Sequence, residues 1–189
     1  MLALALAASL LAPSPQPATA TVAGLLAPRT TCRGQANVTA APAVQVRALR
    51  CLVNWSRAHA GLGMLGDDSE LDRSASMRAH DIARCHDFSH TPCGQAFVEV
   101  FTAVGYLVGA ASVGETLAWG QGRLGSPRRA MASWLASPEH RRILLTAKWR
   151  DLGLARVGGA SVAGYAGVTV WVAQFGRKGL TPLPAPHIA

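Results

Sequence analysis

Apolar residues recur at helical spacing along the first half of the chain. Val46, Leu49 and Val53 stand at positions i, i+3 and i+7, which predicts one face of a helix that ends near His59. A second apolar set follows three possible N-cap residues and predicts a second helix. Its members are Leu71, Ala75, Ala79, Ile82 and Ala83. These two patterns place two amphipathic helices ahead of the middle of the chain.

Three shorter helices are predicted further along. The first covers Gln95–Val104, where large apolar side chains share one face. The second covers Pro127–Ala136, because proline is favoured at the first position of a helix. The third begins at Pro138, with Ser137 as its N-cap, and ends near Leu145.

The C-terminal part changes to strand patterns. Val113–Trp119 and Asp151–Val157 are predicted to be extended, and Gly158–Gly167 is predicted to be rich in loops. Val168–Phe175 alternates valine with other residues, which is typical of a half-buried strand. Helices that precede strands predict an α+β class. Trp134, on the fourth helix, should be buried against the sheet.

The N-terminus resembles a targeting segment. Met1 to Leu11 is almost entirely alanine and leucine, and Ala18-Thr19-Ala20 offers a cleavage site for signal peptidase. The positive residues that open most signal peptides are missing. We expect a signal peptide over residues 1–20 and secretion of the remaining chain. No later stretch has 18 consecutive apolar residues, so no transmembrane segment is predicted.

The remaining chain is expected to form one domain. Residues 21–43 are rich in alanine, threonine and proline and predict a leader with little structure of its own. The domain proper is expected over residues 44–177. Residues 178–189 contain three prolines and predict a loose tail. We expect a monomer.

Four cysteines favour two disulfides, because export places the chain in an oxidising compartment. Three pairings are possible. We favour Cys32–Cys51 and Cys85–Cys93, which close short local loops. A zinc site is the competing interpretation, but the chain has no C-x-x-C pair.

The net charge of +8 and the pI near 10.4 favour anionic partners, such as wall polymers, lipid headgroups or nucleic acid. The basic residues are dispersed, and the tightest clusters are Arg128-Arg129 and Arg141-Arg142. Nucleic-acid binding is disfavoured, because no basic motif is interleaved with aromatic residues. A solvated basic face is the simpler interpretation.

Five segments occur in a recognisable order: 52–57 (LVNWSR), 88–91 (FSHT), 114–118 (GETLA), 134–141 (WLASPEHR) and 151–154 (DLGL). This series resembles the bacterial branch of the CAP superfamily, which contains cysteine-rich secretory proteins, insect antigen 5 and plant pathogenesis-related proteins. The resemblance covers about residues 47–176.

The resemblance implies a three-layer α-β-α sandwich with a central antiparallel sheet. It also implies a cleft where His90 meets Glu115. In some members a histidine pair in this cleft binds a divalent metal. Members are proposed to bind sterols, fatty acids or protein partners, and a few are suggested to be hydrolases.

The chain departs from the family pattern at several positions. Thr116 replaces the asparagine of the GEN motif, and Glu139 replaces the glycine of SPGHR. Gln174 is displaced by one position from the family glutamine. Because side chains alternate along a strand, we expect Gln174 to point away from the cleft.

His90, Glu115 and His140 are therefore the candidate site residues. Two imidazoles and a carboxylate suit a divalent metal such as zinc, with His90 and His140 as ligands. The same three groups suit acid–base chemistry. Local roles are the alternative: helix capping for His90 and His140, and a structural partner for Glu115.

Two functions follow from these candidates. The first is an exported binding module for a lipid or an envelope component. The second is a metal-assisted or acid–base hydrolase. A nucleophile of the usual serine or cysteine kind is missing, because the chain has no G-x-S-x-G motif and its cysteines are expected to be paired. The binding module is therefore favoured.

Overall fold

The computed structural model of the protein describes residues 22–179. The predicted signal peptide and nearly all of the predicted tail lie outside the described residues. The helices are α1 (Val22–Leu25), α2 (Pro42–His59), α3 (Ser69–Cys85), α4 (Glu99–Ala103), α5 (Pro127–Ala136) and α6 (Pro138–Leu144). The strands are β1 (Gly66–Asp67), β2 (Ala111–Gln121), β3 (Asp151–Val162) and β4 (Tyr165–Lys178). Between residues 22 and 179, no helix has the length and apolar character needed to cross a membrane.

The four strands form one sheet in the order β1-β3-β4-β2. The β3–β4 and β4–β2 pairs are antiparallel, and the two-residue β1 pairs with β3 in parallel. Helices α2 and α5 pack on one face, where Leu49 and Trp134 share a core with Trp171. Helix α3 packs on the other face, where Ala79 contacts a core that contains Val170. The predicted three-layer sandwich and α+β class are confirmed.

Strand β4 lies inside the sheet, so the prediction of a half-buried strand is wrong. The side chains of Val170, Trp171, Val172 and Ala173 are all fully buried. Alternate residues of β4 enter the two opposite cores. Both faces of this strand are buried because each face of the sheet is covered by helices.

The predicted loop Gly158–Gly167 is mostly a β-hairpin. Strand β3 continues to Val162, and β4 begins at Tyr165. The ladder contains irregularities on either side of Ala160, and Gly159 has a φ of +77°. The glycines of this segment predict a loop when the sequence is considered alone. In the structure they lie in a strand pair that contains β-bulges, because the partner strand supplies the backbone hydrogen bonds.

The proline-started helices form as predicted. Helix α5 covers Pro127–Ala136, and Ser137 caps α6 by accepting a hydrogen bond from the backbone N–H of His140. The predicted helix Gln95–Val104 is shorter, because Gln95 is extended after a 3₁₀ turn and only Glu99–Ala103 is helical.

Both predicted disulfides are present, Cys32–Cys51 and Cys85–Cys93. The first joins the leader to α2 across 19 residues, and closing such a loop contributes about 3 kcal/mol in the chain-entropy model. The leader is more structured than predicted, because it contains α1 and buries Leu25 in the core.

Candidate functional site

His90 and Glu115 are in direct contact. The Nδ1 atom of His90 lies 2.7 Å from Oε1 of Glu115. The Glu115 side chain is fully buried, whereas 47% of the His90 side chain is exposed. His90 belongs to the loop after α3, and Glu115 lies in β2. The contact fixes the orientation of an imidazole whose other nitrogen, Nε2, is available to a ligand.

Buried polar groups engage the second carboxylate oxygen of Glu115. Its Oε2 accepts a hydrogen bond of 3.3 Å from Nε of Arg78 and one of 2.8 Å from Nε2 of Gln174. Arg78 also donates 2.7 Å to the carbonyl of Phe97, and its side chain is fully buried. Glu115 therefore forms a buried ion pair with both of its oxygens occupied, which offsets the cost of removing the charges from water.

The strand register brings Gln174 to Glu115, so the prediction that Gln174 points away from the cleft is wrong. Glu115 and Gln174 are direct partners in the β2–β4 ladder, and directly opposed residues project to the same face. The hydroxyl of Ser74 on α3 donates to Oε1 of Gln174. The face of the sheet to which Gln174 projects is set by its pairing with Glu115 across the β2–β4 ladder, and not by its position within the sequence motif.

Arg78 is a site residue that the sequence interpretation missed. It lies on the apolar face of α3 between Ala75 and Ala79, which are themselves fully buried. A charged residue in the middle of such a face predicts a buried partner, because an unpaired charge is too costly to bury. This signal was available from the helical spacing alone.

His140 lies in the first turn of α6 and is only partly exposed. Its pKa is lowered by burial; the neighbouring Glu139 acts in the opposite direction, and the charge of His90 lowers the pKa further. Among the hydrogen bonds of residues 22–179, none links the His140 ring to His90 or Glu115.

A cleft of about 600 Å³ opens beside His90. Its lining is largely apolar and consists of His90, Phe97, Val113, Gly114, Glu115, Arg142, Ile143, Thr146, Lys148 and Trp149. Gly114 is needed for its shape, because a Cβ at this position would lie 2.8 Å from Cζ2 of Trp149. The Nζ of Lys148 lies 4.6 Å from the centre of the Trp149 ring. Arg142 and Lys148 are exposed and make the opening basic.

Both oxygens of Glu115 already accept hydrogen bonds, so Nε2 of His90 is the atom of this pair that is available to a ligand. His140 is not among the residues that line the cleft. In the described part of the chain, no group of three or more His, Cys, Asp or Glu side chains is arranged to hold a metal ion.

Other motif residues have structural roles. Asn54 exchanges two hydrogen bonds with the backbone of Leu65. Arg57 is fully buried and donates to the carbonyls of Gly63, Leu144 and Thr146, which fixes the end of α6. The motif at residues 52–57 therefore supports the fold, and none of its residues lines the cleft.

Three solved structures have similar folds. An extracellular protein containing an SCP domain from Bacillus anthracis str. Ames has a TM-score of 0.58 and 24% identity, over 72% of this chain and 41% of its own. An outer surface protein from Borrelia burgdorferi has a TM-score of 0.59 and 20% identity, over 71% of this chain and 93% of its own. A cysteine-rich secretory protein from Staphylococcus aureus subsp. aureus Mu50 has a TM-score of 0.55 and 17% identity, over 74% of this chain and 40% of its own.

These likenesses concern the fold, and the chain covers less than half of the Bacillus and Staphylococcus proteins. No curated protein matches the sequence. The sequence profile of the CAP family, described as the cysteine-rich secretory protein family, matches residues 51–175. This match covers well over half of the chain, includes the His90–Glu115 contact, and shows that the protein belongs to the CAP family.

Proposed function

We propose that the protein is an exported binding module that holds an amphiphilic anion in the His90 cleft. The observation that carries this proposal is the composition of the cleft, which combines apolar walls with a basic opening. Ligand sites of this size are mostly apolar, with a few polar groups that fix the orientation of the ligand. An acyl chain attached to a carboxylate or phosphate has the matching chemistry.

The apolar body of the ligand would lie against Phe97, Ile143 and Trp149. Its anionic group would face Arg142, Lys148 and the half-exposed imidazole of His90. Glu115 does not oppose this arrangement, because its charge is buried and paired with Arg78. The cleft thus offers positive groups at its opening without an exposed carboxylate among its lining residues.

Two observations support export. The described residues contain two disulfides and no free cysteine, as in proteins that mature in oxidising compartments. Two proteins of similar fold are described as extracellular and as an outer surface protein.

Hydrolysis is the second candidate, and the His90–Glu115 hydrogen bond favours it, because a carboxylate that orients a histidine suits a general base. Two nearby hydroxyls have other partners, because Thr146 donates to the carbonyl of Arg142 and Ser89 donates to Asp87. The apolar walls of the cleft also offer few groups to position a polar substrate.

The double variant Arg142→Gln/Lys148→Gln is expected to bind a dansylated fatty acid about tenfold more weakly than the wild type, since exposed charge pairs contribute up to about 1 kcal/mol each. Dansyl fluorescence on titration measures the affinity. The double variant Arg47→Gln/Arg84→Gln removes the same charge from two exposed positions outside the cleft and should bind as the wild type does. Equal weakening of both variants, or no binding by the wild type, would contradict the proposal.

A divalent metal held by His90 and His140 is a separate proposal, supported by the carboxylate that orients the His90 ring. In calorimetry at pH 7.5, zinc is expected to bind the wild type and to bind His90→Ala and His140→Ala at least about tenfold more weakly. His80→Ala is the control, because His80 is exposed on α3. Unchanged affinity in the His90 and His140 variants would exclude these residues as ligands.

A further inference from the structure

Four arginines surround a second groove that shares no lining residue with the His90 cleft. The groove has a volume of about 370 Å³ and lies between the leader and the start of α5. Its basic residues are Arg29, Arg123, Arg128 and Arg129. The other lining residues are Leu26, Ala36, Leu124, Ser126 and Ala132. The groove is therefore lined by arginines and by uncharged side chains.

The charge of these arginines is not compensated by acidic residues. All ten acidic side chains of the chain lie between residues 67 and 151, and none occurs in residues 1–66 or 116–138. These two acid-free stretches supply every lining residue of the groove. None of the four arginines takes part in an ion pair among residues 22–179, where all ion pairs are formed by other basic residues. The groove thus concentrates positive charge, which attracts anions.

One of the four arginines is held rigidly and the other three are exposed. The Nη1 atom of Arg128 donates 2.6 Å to the carbonyl of Ala27 and 2.5 Å to Oε1 of Gln35. Burial lowers the pKa of Arg128, and the charges of Arg29 and Arg129 lower it further. No hydrogen bond within residues 22–179 engages the guanidinium groups of Arg29, Arg123 and Arg129.

The start of α5 adds to the positive potential. Its first turn contains Arg128 and Arg129 and no acidic residue. Helix N-termini favour negative charge, so two arginines here are unfavourable unless an anion lies nearby. A bound anion would relieve the repulsion between the arginines and their repulsion with the helix dipole.

We propose that this groove binds phosphate groups, supplied by a phosphorylated molecule or by a lipid headgroup. Arginine is the residue best matched to this chemistry, because its planar fork donates two parallel hydrogen bonds to a tetrahedral oxyanion. Arg128 is held in place by its hydrogen bonds within the groove, and the three exposed arginines at the edge of the groove contact the phosphate. Leu124, which is 59% exposed, gives the groove an apolar edge that tolerates an organic substituent on the phosphate.

Calorimetric titration with inorganic tripolyphosphate at low salt tests the groove directly. The wild type is expected to bind, and Arg123→Gln/Arg129→Gln is expected to bind at least about tenfold more weakly, because each removed group takes away a charge-assisted hydrogen bond. Arg128 is left unchanged, since it also anchors the leader. The control Arg73→Gln/Arg84→Gln lowers the net charge equally at two exposed positions of α3 and should keep its affinity within about threefold.

Vesicle sedimentation distinguishes the two sources of phosphate. Vesicles of phosphatidylcholine with phosphatidylglycerol are compared with vesicles of phosphatidylcholine alone, with and without tripolyphosphate as competitor. Binding only to the anionic vesicles, and release by tripolyphosphate, would assign the groove to lipid headgroups. Tripolyphosphate binding without vesicle binding would assign it to a soluble phosphorylated molecule. Equal losses in the groove and control variants, or no tripolyphosphate binding by the wild type, would overturn the proposal.

Discussion

Arg78→Met is expected to lower the free energy of unfolding by about 3–5 kcal/mol, the usual cost of removing one partner from a buried ion pair. The change leaves the carboxylate of Glu115 buried without its cation, since both side chains are inaccessible to solvent. It also removes the donor to the carbonyl of Phe97. Urea denaturation at pH 7, followed by circular dichroism, measures the change.

Two further variants separate the charge from the packing. Arg78→Met/Glu115→Leu removes both charges, and it should recover part of the lost stability, because an apolar replacement of a buried pair is often close to neutral. Arg73→Met alters an exposed arginine of the same helix and should change stability by no more than about 0.5 kcal/mol. A loss below about 1 kcal/mol for Arg78→Met would contradict a buried, charged pair.

Trp134→Ala is expected to cost about 3–5 kcal/mol, as large-to-small changes at buried tryptophans do. The Trp134 side chain is fully buried in the core that α2 and α5 form with the sheet. Its indole N–H donates 2.8 Å to the carbonyl of Leu117. The variant therefore opens a cavity and leaves that carbonyl without this donor. Thermal and urea unfolding both measure the loss.

Trp134→Phe is the graded control for this prediction. It keeps most of the apolar volume and loses only the indole N–H and part of the ring, so its cost should be clearly smaller than that of alanine. A cost for Trp134→Ala below about 1 kcal/mol would mean that α5 does not pack on the sheet through this residue.

The helices could be predicted from the sequence where the residues that start them are adjacent to one another in the chain. Proline and its preceding serine mark the starts of α5 and α6 within the sequence itself. The β3–β4 hairpin was not predictable in the same way, because its glycines are held in strand by hydrogen bonds to residues that pair from the other strand. Burial on both faces of β4 depends likewise on its place inside the sheet.

The candidate site was predictable only in part for the same reason. The family motifs identified His90 and Glu115, whose contact is confirmed by a distance of 2.7 Å. Arg78 could have been recognised as a charge on an apolar helix face. Gln174 could not have been recognised in this way, because its contact with Glu115 depends on the register between β2 and β4. A shift of the register by one residue would move its side chain to the opposite face of the sheet.

The polar network beneath His90 also constrains how the chain can fold. Its hydrogen bonds join residues separated by 37 positions (Arg78 and Glu115), 59 positions (Glu115 and Gln174) and 100 positions (Ser74 and Gln174). Contacts of such long sequence separation form slowly, because the entropy of closing the intervening loops is lost before the contacts form. The last strand must insert between two earlier ones before Glu115 acquires Gln174. The hydrogen-bond network of Glu115 is thus complete only once β4 has paired with β2, and a chain whose synthesis stops before Gln174 lacks the Gln174–Glu115 hydrogen bond.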